Sequence, residues 1–331
     1  MARLGEIAFI ADYLAPLASH PAAFGLQDDA ALLTALPDHG LVITADALVA
    51  GVHFFEDDDP GDAAYKALAA NVSDLAAKAA KPLGYTLTLA LAEAPTRDWA
   101  ERFASGLSRA QSEFGIALLG GDTVTARGSW WMSVTAFAEA PARGLITRSG
   151  AKPGDCLYVS GTLGDAALGL KLRLGKANFM QALSPDDRDF LLKRYLYPEP
   201  RLALSDALAR YASAAMDISD GLALDLSRMC GASHVSAEVG VASIPLSAAA
   251  SAAAVAFPGA IEIILSGGDD YEILAAVPPG HCAAFESASR EAGLRVTNIG
   301  TVKQGAGALA FLQSDGAAFQ LAGKGFEHFN T

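Results

Sequence analysis

An α/β chain of two domains is what this sequence predicts, on three observations. Its 331 residues are 52% hydrophobic and 18% charged, enough to fill more than one core of ordinary domain size. The first half mixes strand and helix patterns, and the second half alternates them. Between the halves runs EAPARGLITRSGAKPGD, where Pro141, Gly144, Gly150, Pro153 and Gly154 interrupt any regular element. The boundary is placed so that residues 1–147 form an N-terminal domain and residues 148–331 a C-terminal α/β domain.

Each element has its own pattern. Leu4, Ile7, Ile10, Leu14 and Leu17 recur at helical spacing and predict a first helix. A turn-rich segment leads to the acidic loop Gln27-Asp28-Asp29, with strands expected near 30–35 and 41–46. From 62 to 79, Tyr65, Leu68, Val72 and Leu75 make one apolar helical face, with Asn71, Asp74 and Lys78 as a polar stripe beside it. GYTLTLALA alternates as a strand, 97–114 is helical, IALL is a short strand ending on Gly120-Gly121-Asp122, and WWMSVTAFA is another strand. In the second half CLYVSG reads as a strand and GDAALGLKLRL as a helix. Helices follow near 185–195, 201–213, 219–230 and 281–292, with strands near 234–239, 271–277 and 295–302. LSAAASAAAVAF, between Pro245 and Pro258, reads as a packed helix. No short repeat of the solenoid kind is present.

Composition excludes several classes of function. The formal net charge is −13 and the Lys and Arg residues are scattered, which disfavours a nucleic-acid surface and suits cations. Cys156, Cys230 and Cys282 form no CxxC pair and leave an odd count, as expected in a reducing cytoplasm. Glu6 and Asp12 interrupt the apolar N-terminus, so a signal peptide is not expected. The longest apolar stretch is well short of the ~20 residues that span a bilayer, so no membrane partner is expected either.

What the sequence does offer is aspartate at strand ends and in glycine-rich turns. Asp28-Asp29 follow a loop, Asp46 closes LVITAD, Asp122 sits in LLGGDTVTARG, Asp217 and Asp220 in MDISDG, and Asp269-Asp270 in LSGGDDYE. Carboxylates so placed suit Mg²⁺, which takes oxygen ligands and keeps waters that bridge to phosphates. Adjacent glycines let backbone N–H groups approach those phosphates. Any single one has a plain structural alternative: Ser219 or Asp220 can cap a helix starting near Gly221, and Asp74 can pair with Lys78 along its helix. His53, taken alone, is more often a packing or turn residue than a catalytic one. The collection points the other way, because carboxylates gathered without cations repel one another. No GxxxxGK[ST] loop, HExxH, GxSxG or Cys/His metal spacing is present. SGTLGD lacks the dinucleotide fingerprint and reads as a strand-to-helix turn.

Taken in order, GEIAFIADYLAP, DDAAL, DALVAGVHF, DAAYKALAANVSDLAAKAAKP, GGDT, LITRSGAKPGD, SGTLGDAALGL, DISDGLALDL, LSGGDDYE and GKGFEHF resemble the thiamine-monophosphate kinase family. That family lies in a superfamily with aminoimidazole ribonucleotide synthetase, selenophosphate synthetase and the hydrogenase-maturation carbamoyl dehydratase. The resemblance runs nearly the whole chain and implies the two-domain aminoimidazole ribonucleotide synthetase-like fold. It further implies ATP-dependent conversion of thiamine monophosphate to thiamine diphosphate by direct phosphoryl transfer with several Mg²⁺ ions, and a homodimer whose N-terminal sheets pair in a barrel. By match to the family's motifs, Asp29, Asp46, Asp74, Asp122 and Asp217 would ligate metal, Asp220 would hold a further ion, and Thr44 and Ala45 flank Asp46 on the metal-binding strand. Gly121, Asp122, Arg148 and Ser219 would contact ATP, with Asp122, Arg148 and Asp220 serving catalysis. His53, Asp269 and Phe326 would line the thiamine phosphate site, where an aromatic ring can stack on a flat cationic ligand. Taken alone, Phe326 reads as an apolar C-terminal anchor.

The chain departs from the family's pattern at Gln27, usually Gly, at Ala45, usually a hydroxyl residue, and at Asp269, usually Glu. Its loop after GGDT is also looser. Two other functions stay open at this level: an ATP-dependent enzyme of the same superfamily with a different acceptor, and a non-catalytic nucleotide- or metal-binding protein. Selenophosphate synthetase is disfavoured, because the first cysteine is Cys156 and no reactive cysteine lies near the N-terminus.

Overall fold

The computed structural model describes residues 4–26 and 40–321. The expected strand near 30–35, the departure at Gln27, Asp29 and Phe326 lie outside the described residues. The chain divides into two compact units, one of Met1–Leu75 with Ala80–Ala142, the other of Ala76–Ala79 with Arg143–Thr331.

In the first unit the predicted N-terminal helix is broken. One α-turn, α1 (Glu6–Phe9), passes into a π-helical turn over Ile10–Leu14 and a 3₁₀ turn over Ala15–Leu17, with Pro16 unable to donate a helical N–H. Strand β1 (Leu41–Val49) follows, then α2 (Pro60–Ala77), β2 (Lys81–Leu91), α3 (Arg97–Phe114), β3 (Ala117–Thr125) and β4 (Trp131–Glu139). The sheet order is β1-β4-β2-β3, with β2 and β3 parallel and the other pairs antiparallel.

Tyr65, Leu68, Val72 and Leu75 of α2 are buried, as their spacing predicts. Helix α3 buries Ala100, Phe103, Leu107, Ala110 and Phe114; Thr96 caps its start by accepting from Trp99 N, and Gly115 ends it in the left-handed region. On β4, Met132, Val134, Ala136 and Ala138 are all 0% exposed while the residues between them are half-buried. One sheet face is therefore packed and the other is open.

Strand β3 differs from expectation. It does not end at Gly120-Gly121-Asp122 but runs on to Thr125, because Gly121, Asp122 and Thr123 continue the ladder with Leu87, Thr88 and Leu89 of β2. Gly121 makes this possible: a Cβ there would stand 1.8 Å from the carbonyl oxygen of Leu87.

The second unit contains β5 (Cys156–Ser160), α4 (Asp165–Arg173), α5 (Pro185–Leu196), α6 (Ser205–Tyr211), β6 (Ala214–Ile218), α7 (Leu222–Ser233) and β7 (Ser236–Gly240). It continues with α8 (Ala248–Ala256), α9 (Ala260–Ser266), β8 (Glu272–Val277), α10 (Cys282–Glu291), β9 (Val296–Lys303) and β10 (Leu309–Leu312). Its six strands lie in the order β10-β7-β9-β5-β8-β6. Leu157, Val159, Leu168, Leu191, Met216, Leu226, Leu265 and Leu274 belong to one continuous core. Strand β6 was not expected from the sequence. All five of its residues are buried, so it shows none of the alternation that marks a half-exposed strand. The fold class is as predicted: two α/β units, each with a mixed sheet.

Candidate active site

In the first unit, β1 carries Thr44, Ala45 and Asp46 along the edge of the sheet, and α2 brings its polar stripe against them. Thr44 Oγ1 donates to Asp74 Oδ2 at 2.5 Å. Asn71 Nδ2 donates to Ala67 O at 2.9 Å, which turns Asn71 Oδ1 toward β1, where it accepts from Asp46 N at 3.1 Å. Asp74 is thus committed to the strand and Asn71 fixes the backbone of Asp46. These are oxygen donors on rigid elements, the chemistry a hard divalent cation takes.

Asp122 belongs elsewhere on the same sheet. Asp46 lies opposite Val134, which lies opposite Leu87, whereas Asp122 lies opposite Thr88, then Ser133, then Ala47. Cross-strand partners share a face and successive residues alternate, so Asp46 is on the helix-covered face and Asp122 on the open one. They also stand on opposite edge strands, three strand spacings or about 14 Å apart, so the Asp46 and Asp122 side chains of one chain do not converge. Among the described residues, no group of three His, Cys, Asp or Glu converges on one point.

His53 ends a turn after β1. Its Nδ1 accepts from Val49 N at 3.0 Å, which places the ring proton of the neutral form on Nε2. Its carbonyl accepts from Lys66 Nζ at 3.3 Å.

The second unit gathers its candidates more closely. Asp217 is the fourth residue of β6 and is buried, and Ser219 and Asp220 follow where the strand ends. The adjacent loop packs on them: Asp269 N donates to Ser219 O and Tyr271 N to Ile218 O, each at 2.8 Å. Asp269 (φ 69°) and Tyr271 (φ 51°) both occupy the left-handed region, a conformation that costs a non-glycine residue energy and persists where its surroundings impose it. Gly268 permits the approach, since a Cβ there would be 2.3 Å from Ser219 O. The end of β6 with Asp217, the turn with Ser219 and Asp220, and the loop with Asp269 are thus joined by backbone hydrogen bonds. Arg148 is exposed, and its carbonyl accepts from Ser233 Oγ of α7 at 2.8 Å.

Neither Ser219 nor Asp220 caps α7, whose N-cap, Gly221, makes no side-chain cap bond. The carboxylate that satisfies this turn is Asp225, one turn inside the helix. Its Oδ2 accepts from Ser219 N at 3.0 Å and Asp220 N at 2.9 Å, and its Oδ1 accepts from Arg228. Burial pushes Asp225 up to about 6, partly offset by the Asp220 N–H and by Arg228. Sequence reasoning missed this residue, although an Asp in the first turn of a helix after a Gly-ended loop is a usable signal.

Beneath the second loop lies a buried charge network that sequence reasoning also missed. Glu272 pairs with Arg194 at 3.0 Å and with Arg201, while Asp270 Oδ2 accepts from Gly164 N at 2.7 Å at the start of α4. SGTLGD is the strand-to-helix turn expected, and Asp270 holds it.

Residues 27–140 match the family described as AIR synthase related protein, N-terminal domain, and residues 152–310 its C-terminal domain. The chain is 44% identical over 310 residues to a thiamine-monophosphate kinase of Caulobacter vibrioides, covering 92% of this chain and 86% of that one. It is 40% identical to that of Escherichia coli K12, over 99% of each. Among solved structures, a thiamine-monophosphate kinase from Stenotrophomonas maltophilia K279a superposes with a TM-score of 0.82 at 37% identity, covering 96% of this chain and 99% of that one. AaThiL complexed with AMPPCP and TMP superposes with a TM-score of 0.77 at 31% identity over 99% of each. Near-complete coverage at this identity places the chain in the thiamine-monophosphate kinase family.

Proposed function

We propose that the protein transfers the γ-phosphoryl group of ATP to the phosphate of thiamine monophosphate, giving thiamine diphosphate and ADP with Mg²⁺. The observation that carries this is the β6 end and turn bearing Asp217, Ser219 and Asp220, hydrogen-bonded to the loop bearing Asp269, in a chain 40% identical over its length to a kinase so named.

Both reactants are anions, so the acceptor phosphate must approach the γ-phosphate against charge repulsion, and charge on the peripheral oxygens must be stabilised. Bound Mg²⁺ supplies that positive charge. Asp29, Asp46, Asp74 and Asp122, with Thr44 and the Ala45 carbonyl, are its proposed ligands in the first unit, and Asp217 and Asp220 those in the second. Gly121 and Ser219 present backbone and hydroxyl donors to nucleotide. Arg148 adds a fixed positive charge, and its backbone is held by Ser233. His53, Asp269 and Phe326 are assigned to the thiamine phosphate. Asp269 is one methylene shorter than the family's usual Glu, and the left-handed backbone at 269 sets where that shorter side chain starts. The attacking oxygen belongs to a phosphate with a second pKa near ~6, so it is largely ionised at neutral pH and no general base is required. Positioning and electrostatics then do the catalysis.

The test is one assay with ATP, Mg²⁺ and thiamine monophosphate, the product separated and identified, with thiamine and a chelator as controls. Thiamine diphosphate and ADP are expected with the monophosphate and metal alone. ATP binding with no turnover would instead favour a different acceptor or a binding protein. Replacing Asp122, exposed on the open sheet face, with Ala is expected to remove most of kcat while the melting temperature stays near that of the parent. Unchanged turnover in that variant would end its assignment.

A further inference from the structure

The turn that carries Ser219 and Asp220 is not held by its own side chains. Its two N–H groups donate to a single oxygen, Asp225 Oδ2, at 3.0 and 2.9 Å, and the Asp225 side chain is completely buried. Arg228, one turn further along α7, binds both carboxylates through one nitrogen: Nη1 is 2.5 Å from Asp220 Oδ2 and 2.8 Å from Asp225 Oδ1. The turn is tight. Gly221 has φ +107°, and a Cβ there would lie 2.7 Å from the backbone of Ser266, the last residue of α9 before the loop that leads to Asp269.

We infer that Asp225 and Arg228 are positioning residues of the phosphoryl-transfer site: Asp225 fixes the Ser219–Asp220 backbone, and Arg228 holds the Asp220 carboxylate while opposing cation binding to it. This rests on the kinase reading above. Two observations lead here. A buried carboxylate that accepts two adjacent N–H groups leaves the turn one low-energy shape, because releasing either amide would strand a buried polar group. A guanidinium shared by two carboxylates holds both in place and screens their repulsion. It also occupies one of the two oxygens that a cation at Asp220 would use, and places a like charge beside that cation.

These roles separate from ordinary structural support. Support alone predicts that loosening the turn weakens both Mg²⁺ use and turnover. Arg228 acting as a competitor predicts opposite movements: Arg228→Gln, which keeps donors but removes the charge, needs less Mg²⁺ for half-maximal activity and has a lower kcat. The fall in kcat is expected at about tenfold, the low end for residues that orient metal ligands.

The experiment has three arms, with melting checked for each variant. Hydrogen exchange on the ligand-free protein reads the Ser219 and Asp220 amides; both lose protection in Asp225→Ala and regain part of it in Asp225→Asn, which retains one acceptor oxygen. Calorimetry of a non-hydrolysable ATP analogue at graded Mg²⁺ reads tighter metal-dependent binding in Arg228→Gln. Steady-state kinetics reads the opposed shifts. If Asp225→Ala does not fold, Asp225→Asn and Arg228→Gln carry the test. Unchanged amide protection in every Asp225 variant that folds overturns the role of Asp225. A higher or unchanged Mg²⁺ requirement in Arg228→Gln overturns that of Arg228. If the parent protein makes no thiamine diphosphate, the kinase reading fails on its own, while the exchange and calorimetric arms still decide the inference.

Discussion

Asp270 sits 1% exposed, with its carboxylate on the first N–H groups of α4. Burial pushes its pKa well above the ordinary carboxylate value, the neighbouring Asp165 and Glu272 push the same way, and the Gly164 N–H and Arg194 pull it down. Asp165 is likewise raised, chiefly by burial. A carboxyl raised in the folded state binds a proton more tightly there than when unfolded, so stability falls as pH rises from the ordinary Asp value through the folded one. Asp270→Asn mimics the protonated form and keeps an acceptor for Gly164 N. Melting temperatures between pH 5 and 8 should therefore depend less on pH in this variant than in the parent, with the variant relatively better at pH 8. A variant that loses ground as pH rises would mean that Asp270 is ionised in the fold. None of this was legible in GGDDYE, where Asp269 and Asp270 look equivalent. The difference arises because the left-handed backbone at 269 and the packing of α4 bury one carboxylate and leave its neighbour half-buried.

Elements were more legible than their contacts. The extent of helix α3 was read from the sequence as 97–114, and α2 shows its apolar face there. Their meeting point does not appear there. Gly106, in the middle of α3, lies so close to α2 that a Cβ would stand 2.0 Å from Gly61 O, and a Cβ on Gly61 would stand 2.6 Å from Arg102 O. Arg102 closes the junction from outside through Asp59 at 2.9 Å and Asp98 at 2.6 Å. Helix propensity alone predicts that Gly106→Ala stabilises α3 by up to ~1 kcal/mol. Contact with backbone, which cannot rotate away, reverses the sign, and the net cost is expected at about 1–3 kcal/mol, as for overpacked interiors. Denaturant unfolding reads it directly, and a more stable Gly106→Ala would show that the helices separate easily. Since α2 holds Asn71 and Asp74 against β1, the same variant should raise the Mg²⁺ requirement. Strand β6 and the extension of β3 were hidden for related reasons: a strand buried on both faces loses its alternation, and Gly121 marks a close approach that has no sequence period.

For the molecule as a whole, the unexplained surface is the open face of the first unit's sheet. Leu41 and Ile43 are 49% and 58% exposed on it, and Val124, on the far edge strand and in step with Asp122, is 38% exposed. Phe137, opposite Ile43, is half-buried there. Apolar residues spread from one edge to the other on an otherwise well-packed unit mark an interaction surface. We propose that a second copy covers it, making the protein a homodimer, the commonest closed assembly. A pairing of like faces covers Ile43 and Val124, so Ile43→Glu puts a carboxylate into the contact at a desolvation cost. Sedimentation at micromolar concentration should show the parent as a dimer and Ile43→Glu as a monomer. Because Asp122 stands on the covered face, the monomer should also lose turnover, although no metal or nucleotide candidate has been altered. A parent chain that sediments as a monomer refutes the pairing outright. A dimeric Ile43→Glu would place the contact on another surface and leave Leu41, Ile43 and Val124 facing solvent.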